Sequence, residues 1–477
     1  MVTLIYYQLP LKARRVWLLA ASYYFYMSWS PVYALLIAFS TISTYLFALL
    51  IDNSGASDNK KRGSRRKLFV ILCFIINLSI LFFFKYFNFA VSSVVGLLSV
   101  IGIKTSGLSF SILLPVGISF YTFQALGYAA DVYRGDIKAE RNIIKYALFV
   151  SFFPQLVAGP IERSKNLLRQ FDINQVFDYS SVKNGLLLMA WGFFQKMVIA
   201  DNISKTVNLI YGSPQLFSGS QLTLATLLFA VQIYCDFAGY SNIARGAAEV
   251  MGFKLTKNFK QPYFAVSIRD FWRRWHISLS SWFRDYVYIP LGGGRRSRFR
   301  RSVNTMITFL ISGLWHGADW SFVVWGGFHG SLQLISDAVG KMKKSSLRHS
   351  ESGNTGLMRF ARTAGTFLLV DFAWIFFRAA NLKDAFNIIF RIFSDFRIRS
   401  LFDGSLGVMG ILPSGLLISC AAIAVLFCVD ALQSKTDIRA GISKRSAAFR
   451  WTVYYLLMLS LLIFGEYGAN QFIYFQF

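Results

Sequence analysis

The stretch LFVILCFIINLSILFFFKYFNFAVSSVVGLLSVIGI, Leu68–Ile103, contains a single charge, Lys85. An apolar helix crosses a hydrocarbon core of about 30 Å in roughly 20 residues, so this run is long enough for two passes. Upstream, Val16–Ile51 has no charge and is divided by Pro31. Proline ends a helix interior, so two segments are expected there. Similar runs follow almost end to end: Thr105–Ala130, with Pro115 and Gly117 expected to kink it, Tyr146–Ile161, Gly185–Ala200 with one Lys196, and Ser218–Cys235. Ser302–Ala318, Trp320–Ile335, Thr363–Phe377, Ser405–Val429 and Trp451–Gly465 complete the series. At roughly 20 residues per span, this amounts to about ten to twelve passes. The shorter runs predict re-entrant or interfacial helices, which are tolerated where protein or water covers their backbone. The fold class is thus an all-α polytopic membrane protein, and no separate soluble domain is visible along 1–477.

Composition points the same way. Hydrophobic residues make up 55% of the 477 and charged residues 15%, against about 25% charged in a soluble domain. A soluble fold has too little interior to hide that load. Four cysteines exclude a disulfide scaffold. Cys420 and Cys428 lie about 12 Å apart along one helix, too far to bridge, so free thiols are expected. Fifty Lys and Arg against 23 Asp and Glu give +27. These bases sit in short loops at Asp52–Lys67, Lys254–Arg274, Arg295–Arg301, Lys341–Arg348 and Lys435–Arg450. That placement speaks for loops held in the cytoplasm by the positive-inside rule and against nucleic-acid binding. The expected location is the cytoplasmic (inner) membrane, with multiple passes. Lys12, Arg14 and Arg15 before Val16 look like a signal-peptide start. The following run has no clear cleavage site, so it is expected to stay as an anchor.

The densest polar-aromatic segment runs from Tyr234 to Arg301. Its centre is Arg269-Asp270-Phe271-Trp272-Arg273-Arg274-Trp275-His276-Ile277-Ser278-Leu279-Ser280-Ser281-Trp282-Phe283-Arg284-Asp285-Tyr286. Read as a helix, Trp272, Trp275, Leu279, Trp282 and Tyr286 share one face. This predicts a helix over 272–286 lying in the membrane interface, with arginines toward phosphates. His276 stands beside that stripe. A sharper signal is Gly313-Leu314-Trp315-His316-Gly317-Ala318, which ends an uncharged run. An ionisable residue near a span is costly, so His316 reads as functional. The flanking glycines allow a ligand or a neighbouring helix to come close to the backbone. His329, in Phe328-His329-Gly330, reads as a packing residue, and His349 as a solvated loop residue. No HExxH-like spacing or carboxylate at i+4 supports a metal site, and no permanently bound cofactor is expected.

Taken together, these residues resemble the membrane-bound O-acyltransferase family, on its bacterial branch of cell-envelope acetylases and D-alanyl transferases. The similar stretches are Leu114–Gln124 (LPVGISFYTFQ), Phe153–Ile161 (FPQLVAGPI), Asp270–His276, Trp282–Pro290 and Trp315-His316-Gly317. The resemblance implies a ring of helices around a thinned centre, with a tunnel joining the two membrane sides. It implies a catalytic histidine at His316 and a second polar position at His276, within a core segment spanning 236–330. It implies an acyl donor on the cytoplasmic side, acetyl-CoA or an acyl-carrier thioester. It also implies an SGNH-hydrolase-type partner on the outer side and a polysaccharide or peptidoglycan acceptor.

The residues themselves suit that chemistry. Acyl transfer from a thioester to a hydroxyl needs a base near neutral pKa and a group that stabilises the oxyanion. His316 supplies the first; His276 supplies the second if protonated or donating through one nitrogen. The expected donor- and substrate-binding set is Arg273, Arg274, Trp275, Arg284, Asp236 and Trp315, with guanidinium forks suited to phosphates. His316 follows Arg301 by about 22 Å of helix, inside the hydrocarbon core, so a tunnel is expected to be narrowest there with His276 lining it. Two other readings share these residues: a D-alanyl transferase fed by a carrier protein, and a transporter using His316 as a proton relay. The lack of internal repeats and the aromatic-Arg-His block argue against the transporter.

Overall fold

In the computed structural model, every regular element among the described residues is helical. Those residues are 1–55, 60–103, 105, 107, 110, 113–295, 297–346, 356–408, 413–468 and 472. His349 lies outside them. Among the described residues, seven helices are long and apolar enough to cross a membrane: Pro31–Asn53, Gly63–Val100, Tyr179–Gly212, Gly219–Val250, Gly356–Arg378, Ser414–Gln433 and Ala447–Phe464. Several of them leave most of their apolar surface uncovered by protein. Ala447–Phe464 exposes Trp451, Tyr455, Leu459, Leu462 and Ile463, an apolar face that water would reject and lipid accepts. The chain is a multi-pass helical membrane protein.

Local sequence explains where the helices break. Pro31 opens Pro31–Asn53 at its first turn, where its missing N–H costs nothing, and Leu11–Met27 ends just before it. Tyr146–Ile161 does not continue as one helix. Ile143–Ser151 stops at Phe152, and Pro154 starts the single turn Phe153–Leu156. Leu68–Ile103 departs from the expected two passes: one continuous helix runs from Gly63 to Val100. No proline interrupts it and Gly96 stays helical. Its one irregularity is a π-helical turn at Phe82–Tyr86, which contains Lys85.

The chain forms two compact units, one of residues 1–189 and 244–256, the other of 190–243 and 257–477. In the first, Pro31–Asn53 packs on Ile118–Arg134 and on Lys60–Leu81. The two motifs LPVGISFYTFQ and FPQLVAGPI meet inside this unit. Gly117 adopts φ 73°, and a Cβ there would press into the Leu156 carbonyl. Gln155 Nε2 donates to the Phe149 carbonyl at 3.1 Å, and so does Gln124 Nε2 at 2.5 Å. Glu162, buried just after the second motif, accepts from Asn166 Nδ2 at 2.9 Å and from Thr256. Burial raises its carboxyl above the usual glutamate range.

The second unit is organised by a helical hairpin, Arg298–His316 and Trp320–Ser346, against which Gly356–Arg378 packs. Ser297 caps the first helix by accepting from the Arg300 N–H at 3.3 Å. Gly317 is extended and ends it, and Asp319 accepts from the Ser321 N–H at 2.7 Å to start the next. Gly313 and Gly326 face each other across the hairpin: a Cβ on either would collide with a carbonyl of the opposite helix. The glycines around His316 therefore serve a neighbouring helix. His316 is the last residue of its helix, at the tip of this tightly closed hairpin.

Candidate active site

The segment carrying His276 is not the single helix expected over 272–286. Ile268–Trp272 is a short helix capped by Ser267, and a second, Ile277–Phe283, follows it. Between them the backbone turns at His276, which has φ 43° and ψ 54°. A non-glycine residue in this left-handed region is uncommon and histidine is among those that tolerate it. Nor does the aromatic face lie on lipid. Trp275, Leu279 and Trp282 are buried in protein. The Trp275 ring meets Phe259 at 5.0 Å, Phe271 at 5.4 Å and Trp374 at 5.1 Å. The stripe was legible as apolar, but its period does not say whether protein or membrane covers it.

The turn brings His276 to His316. Their ring centroids are 6.3 Å apart, and the two residues are 1% and 2% exposed. The Trp315 ring sits 5.9 Å from His276 and 5.0 Å from His316. Trp325 and Phe377 close on His316 at 5.0 Å and 5.4 Å. Phe237 stands edge-on to His276 at 4.6 Å. Burial pushes the His276 imidazole down to about 3, because a cation is penalised in such surroundings. Burial thus favours the neutral form, which offers one N–H donor and one acceptor.

Of the other expected residues, Trp315 and Trp275 join this aromatic enclosure. Asp236 is buried one residue before Phe237, where it pairs with Lys196 Nζ at 2.6 Å. Lys196 also reaches Asp201 at 2.8 Å and lies over the Tyr240 ring at 5.5 Å. Gly192 and Gly239 let the two helices touch beside this triad. Arg274 bonds Asp270 at 2.8 Å, and Arg284 bonds Asp285 at 2.7 Å while its side chain is mostly exposed. Arg273 is exposed. None of these three arginines makes a polar contact to either imidazole among the described residues. His329 is fully buried: the Phe271 ring lies parallel at 6.2 Å, Trp325 at 4.9 Å and Trp272 at 5.0 Å. Neither of its ring nitrogens has a hydrogen-bond partner among the described residues. No three His, Cys, Asp or Glu side chains among the described residues stand together as a metal site.

Trp325, Trp374, Phe377 and Phe237 were not singled out from sequence. Aromatics at helical spacing look alike whether they line a site or fill a core. The Lys196–Asp201–Asp236 triad had a usable signal, since three ionisable residues inside apolar runs are seldom without partners.

The profile of the membrane-bound O-acyltransferase family matches residues 137–354, which include both histidines. Over its whole length the chain is similar to a probable alginate O-acetylase of Pseudomonas putida, 35% identical, covering 99% of this chain and 96% of the relative. The chain belongs to the membrane-bound O-acyltransferase family. A second probable alginate O-acetylase, from Pseudomonas aeruginosa, is 39% identical over 82% of this chain and 72% of its own. A peptidoglycan O-acetyltransferase of Helicobacter pylori is 34% identical over 79% and 73% respectively. As a membrane-bound O-acyltransferase, the protein is an enzyme that moves an acyl group to a hydroxyl oxygen, and the buried histidine pair stands within the matched region.

Proposed function

We propose that this enzyme transfers acetyl from cytoplasmic acetyl-CoA to hydroxyls of a cell-envelope polysaccharide, directly or through an SGNH-hydrolase-type partner outside the cytoplasmic membrane. The observation carrying this reading is the His276–His316 pair, with ring centroids 6.3 Å apart and enclosed by aromatics. His316 takes the proton of the acceptor hydroxyl as its oxygen attacks the thioester carbonyl. The neutral His276 donates its N–H to the oxyanion that forms. The C–S bond then breaks, the new O–acetyl ester remains, and the proton on His316 passes to the departing thiolate. A dry aromatic enclosure strengthens both steps by excluding water. Keeping the CoA phosphates on the cytoplasmic side and moving only the small neutral acyl group avoids burying several charges in hydrocarbon. The names of the alginate and peptidoglycan relatives support a polymeric acceptor. The test is purified protein with radiolabelled acetyl-CoA and alginate or peptidoglycan fragments. Label in the polymer is the expected result; neither transfer nor hydrolysis, with or without an SGNH-type partner, would overturn the reading.

Two further outcomes follow from this assignment. His276→Ala should lower kcat by about 10²-fold, the size of a lost oxyanion donor. His276→Asn, a neutral donor, should stay within about tenfold of wild type. Because His276 carries no charge near neutrality, any acidic limb of the rate profile there should survive in His276→Asn. Equal loss in both variants would remove the donor role. The orientation is tested separately. A cysteine placed at Arg298, in a chain freed of its native cysteines, should resist an impermeant maleimide added outside intact cells and react after lysis. Labelling in intact cells would reverse the topology.

A further inference from the structure

His276 stands at the N-terminus of Ile277–Phe283, where the first N–H groups of a helix need acceptors from outside the helix. The residue in that capping place usually supplies one from its own side chain, but the His276 side chain makes no capping bond. The acceptors come from Asn258, on a separate stretch of the chain. Its carbonyl oxygen accepts from the Ile277 N–H at 2.9 Å. Its side-chain Oδ1 accepts from the Ser278 N–H at 3.4 Å and from Ser278 Oγ at 2.6 Å.

The other half of the amide is used as well. Asn258 Nδ2 donates to Ser241 Oγ at 2.9 Å. Ser241 lies on Gly219–Val250, one turn after Phe237, whose ring stands against His276 at 4.6 Å. Residues four apart on a helix share a face. Asn258 thus ties the His276 turn to the helix face that packs on the imidazole. Oxygen toward Ser278 and nitrogen toward Ser241 is the orientation that gives the Ser278 N–H an acceptor. Asn258, Ser241 and Ser278 are all buried, and all belong to the second unit.

A further bond closes the arrangement. The Lys260 N–H donates to the Arg274 carbonyl at 2.9 Å, so the segment 258–260 is bonded to the chain on both sides of His276. Between these bonds Phe259 packs its ring on Trp275 at 5.0 Å and on Phe237 at 5.1 Å. A non-glycine residue persists in the left-handed region where surrounding contacts over-determine it. Here they do so at the φ of 43° that His276 adopts.

From this geometry we infer that Asn258 is a positioning residue of the reaction, holding the His276 turn so that its ring stays 6.3 Å from that of His316. Asn258 acts through His276 rather than on the reacting atoms. The inference rests on the oxyanion-donor role given to His276 above. Such a donor has to be held within about 0.5 Å of its productive place, and a misplacement of about 1 Å can cost about 10²-fold.

The experiment is a double-mutant cycle on the full chain in detergent, with kcat and KM for acetyl-CoA measured beside a melting curve. Asn258→Ala should lower kcat about tenfold and leave KM within about twofold. In a His276→Ala background the same change should cost less than about twofold, because the group it positions is gone. Equal losses in the two backgrounds would show a general contribution to the fold and overturn the positioning role. So would wild-type kcat in Asn258→Ala. Wild-type kcat in His276→Ala would instead overturn the donor reading, and the inference with it. Should Asn258→Ala aggregate, Ser278→Ala enters the same cycle; it deletes one hydroxyl, keeps the Ser278 N–H bond, and should cost about fivefold.

A second measurement needs no acyl donor. Diethyl pyrocarbonate modifies accessible imidazoles, and mass spectrometry reads each histidine separately. His276 and His329 are both buried. Asn258→Ala should speed modification of His276 about fivefold or more by local opening and leave His329 unchanged. Parallel acceleration of both would mean general loosening, and an unchanged rate at His276 an intact turn; either result overturns the role of Asn258. If wild type transfers nothing from acetyl-CoA, the acetyl-CoA reading fails by itself, and the rates at His276 and His329 decide the positioning role.

Discussion

His316→Ala should leave a folded, inserted protein whose acyl transfer falls by about 10²–10⁴-fold, the usual worth of a general base. Several features make the loss large. His316 ends the Arg298–His316 helix and its ring is held by Trp315, Trp325 and Phe377. In the proposed mechanism His276 serves as the oxyanion donor, so it does not replace His316 as base. The fold should survive because the hairpin is fixed by the Gly313–Gly326 contact rather than by the imidazole. Transfer rates with acetyl-CoA and polymer, beside a size-exclusion profile in detergent, measure both claims. Activity near wild type in this variant would remove the mechanism.

The second large effect is one of stability. Lys196, Asp201 and Asp236 are all buried, and Lys196 holds both carboxylates within 2.8 Å. Lys196→Met leaves two carboxylates facing each other without their cation. Breaking a buried ion pair from one side typically costs about 3–5 kcal/mol. The variant should melt well below wild type in detergent, and His276 should lose its support, since Asp236 adjoins the Phe237 that packs on it. Combining Lys196→Met with Asp201→Asn and Asp236→Asn should recover much of the loss, because the uncompensated charge is gone. A single variant that melts like wild type would show that the triad contributes nothing to the fold.

Much of the architecture was readable from charge spacing alone. Pro31 separated two helices as its chemistry requires, and the apolar runs became long helices with lipid-facing surfaces. What was not readable is where a run bends. Leu68–Ile103 holds no residue that forces a turn, so span length alone suggested two passes where one helix forms. The site shows the same division. His316 and His276 stood out because ionisable groups beside apolar runs are rare. The break between Trp272 and Ile277 was hidden, because the aromatic spacing on either side still fits a helical period. The pairing of Asp236 with Lys196, 40 positions apart in the chain, depends on two helices meeting at Gly192 and Gly239.

The left-handed backbone at His276 also narrows what evolution can place there. Glycine would suit the torsion but remove the donor. Valine, isoleucine or threonine would clash with their own carbonyl, and alanine would combine strain with a missing polar group. Asparagine meets both demands, since it tolerates this region and carries an N–H on a short side chain. Position 276 is thus filtered twice, once by main-chain shape and once by chemistry, and few of the twenty residues pass both. An alanine substitution there measures the two filters together. Asparagine keeps the first satisfied while it probes the second.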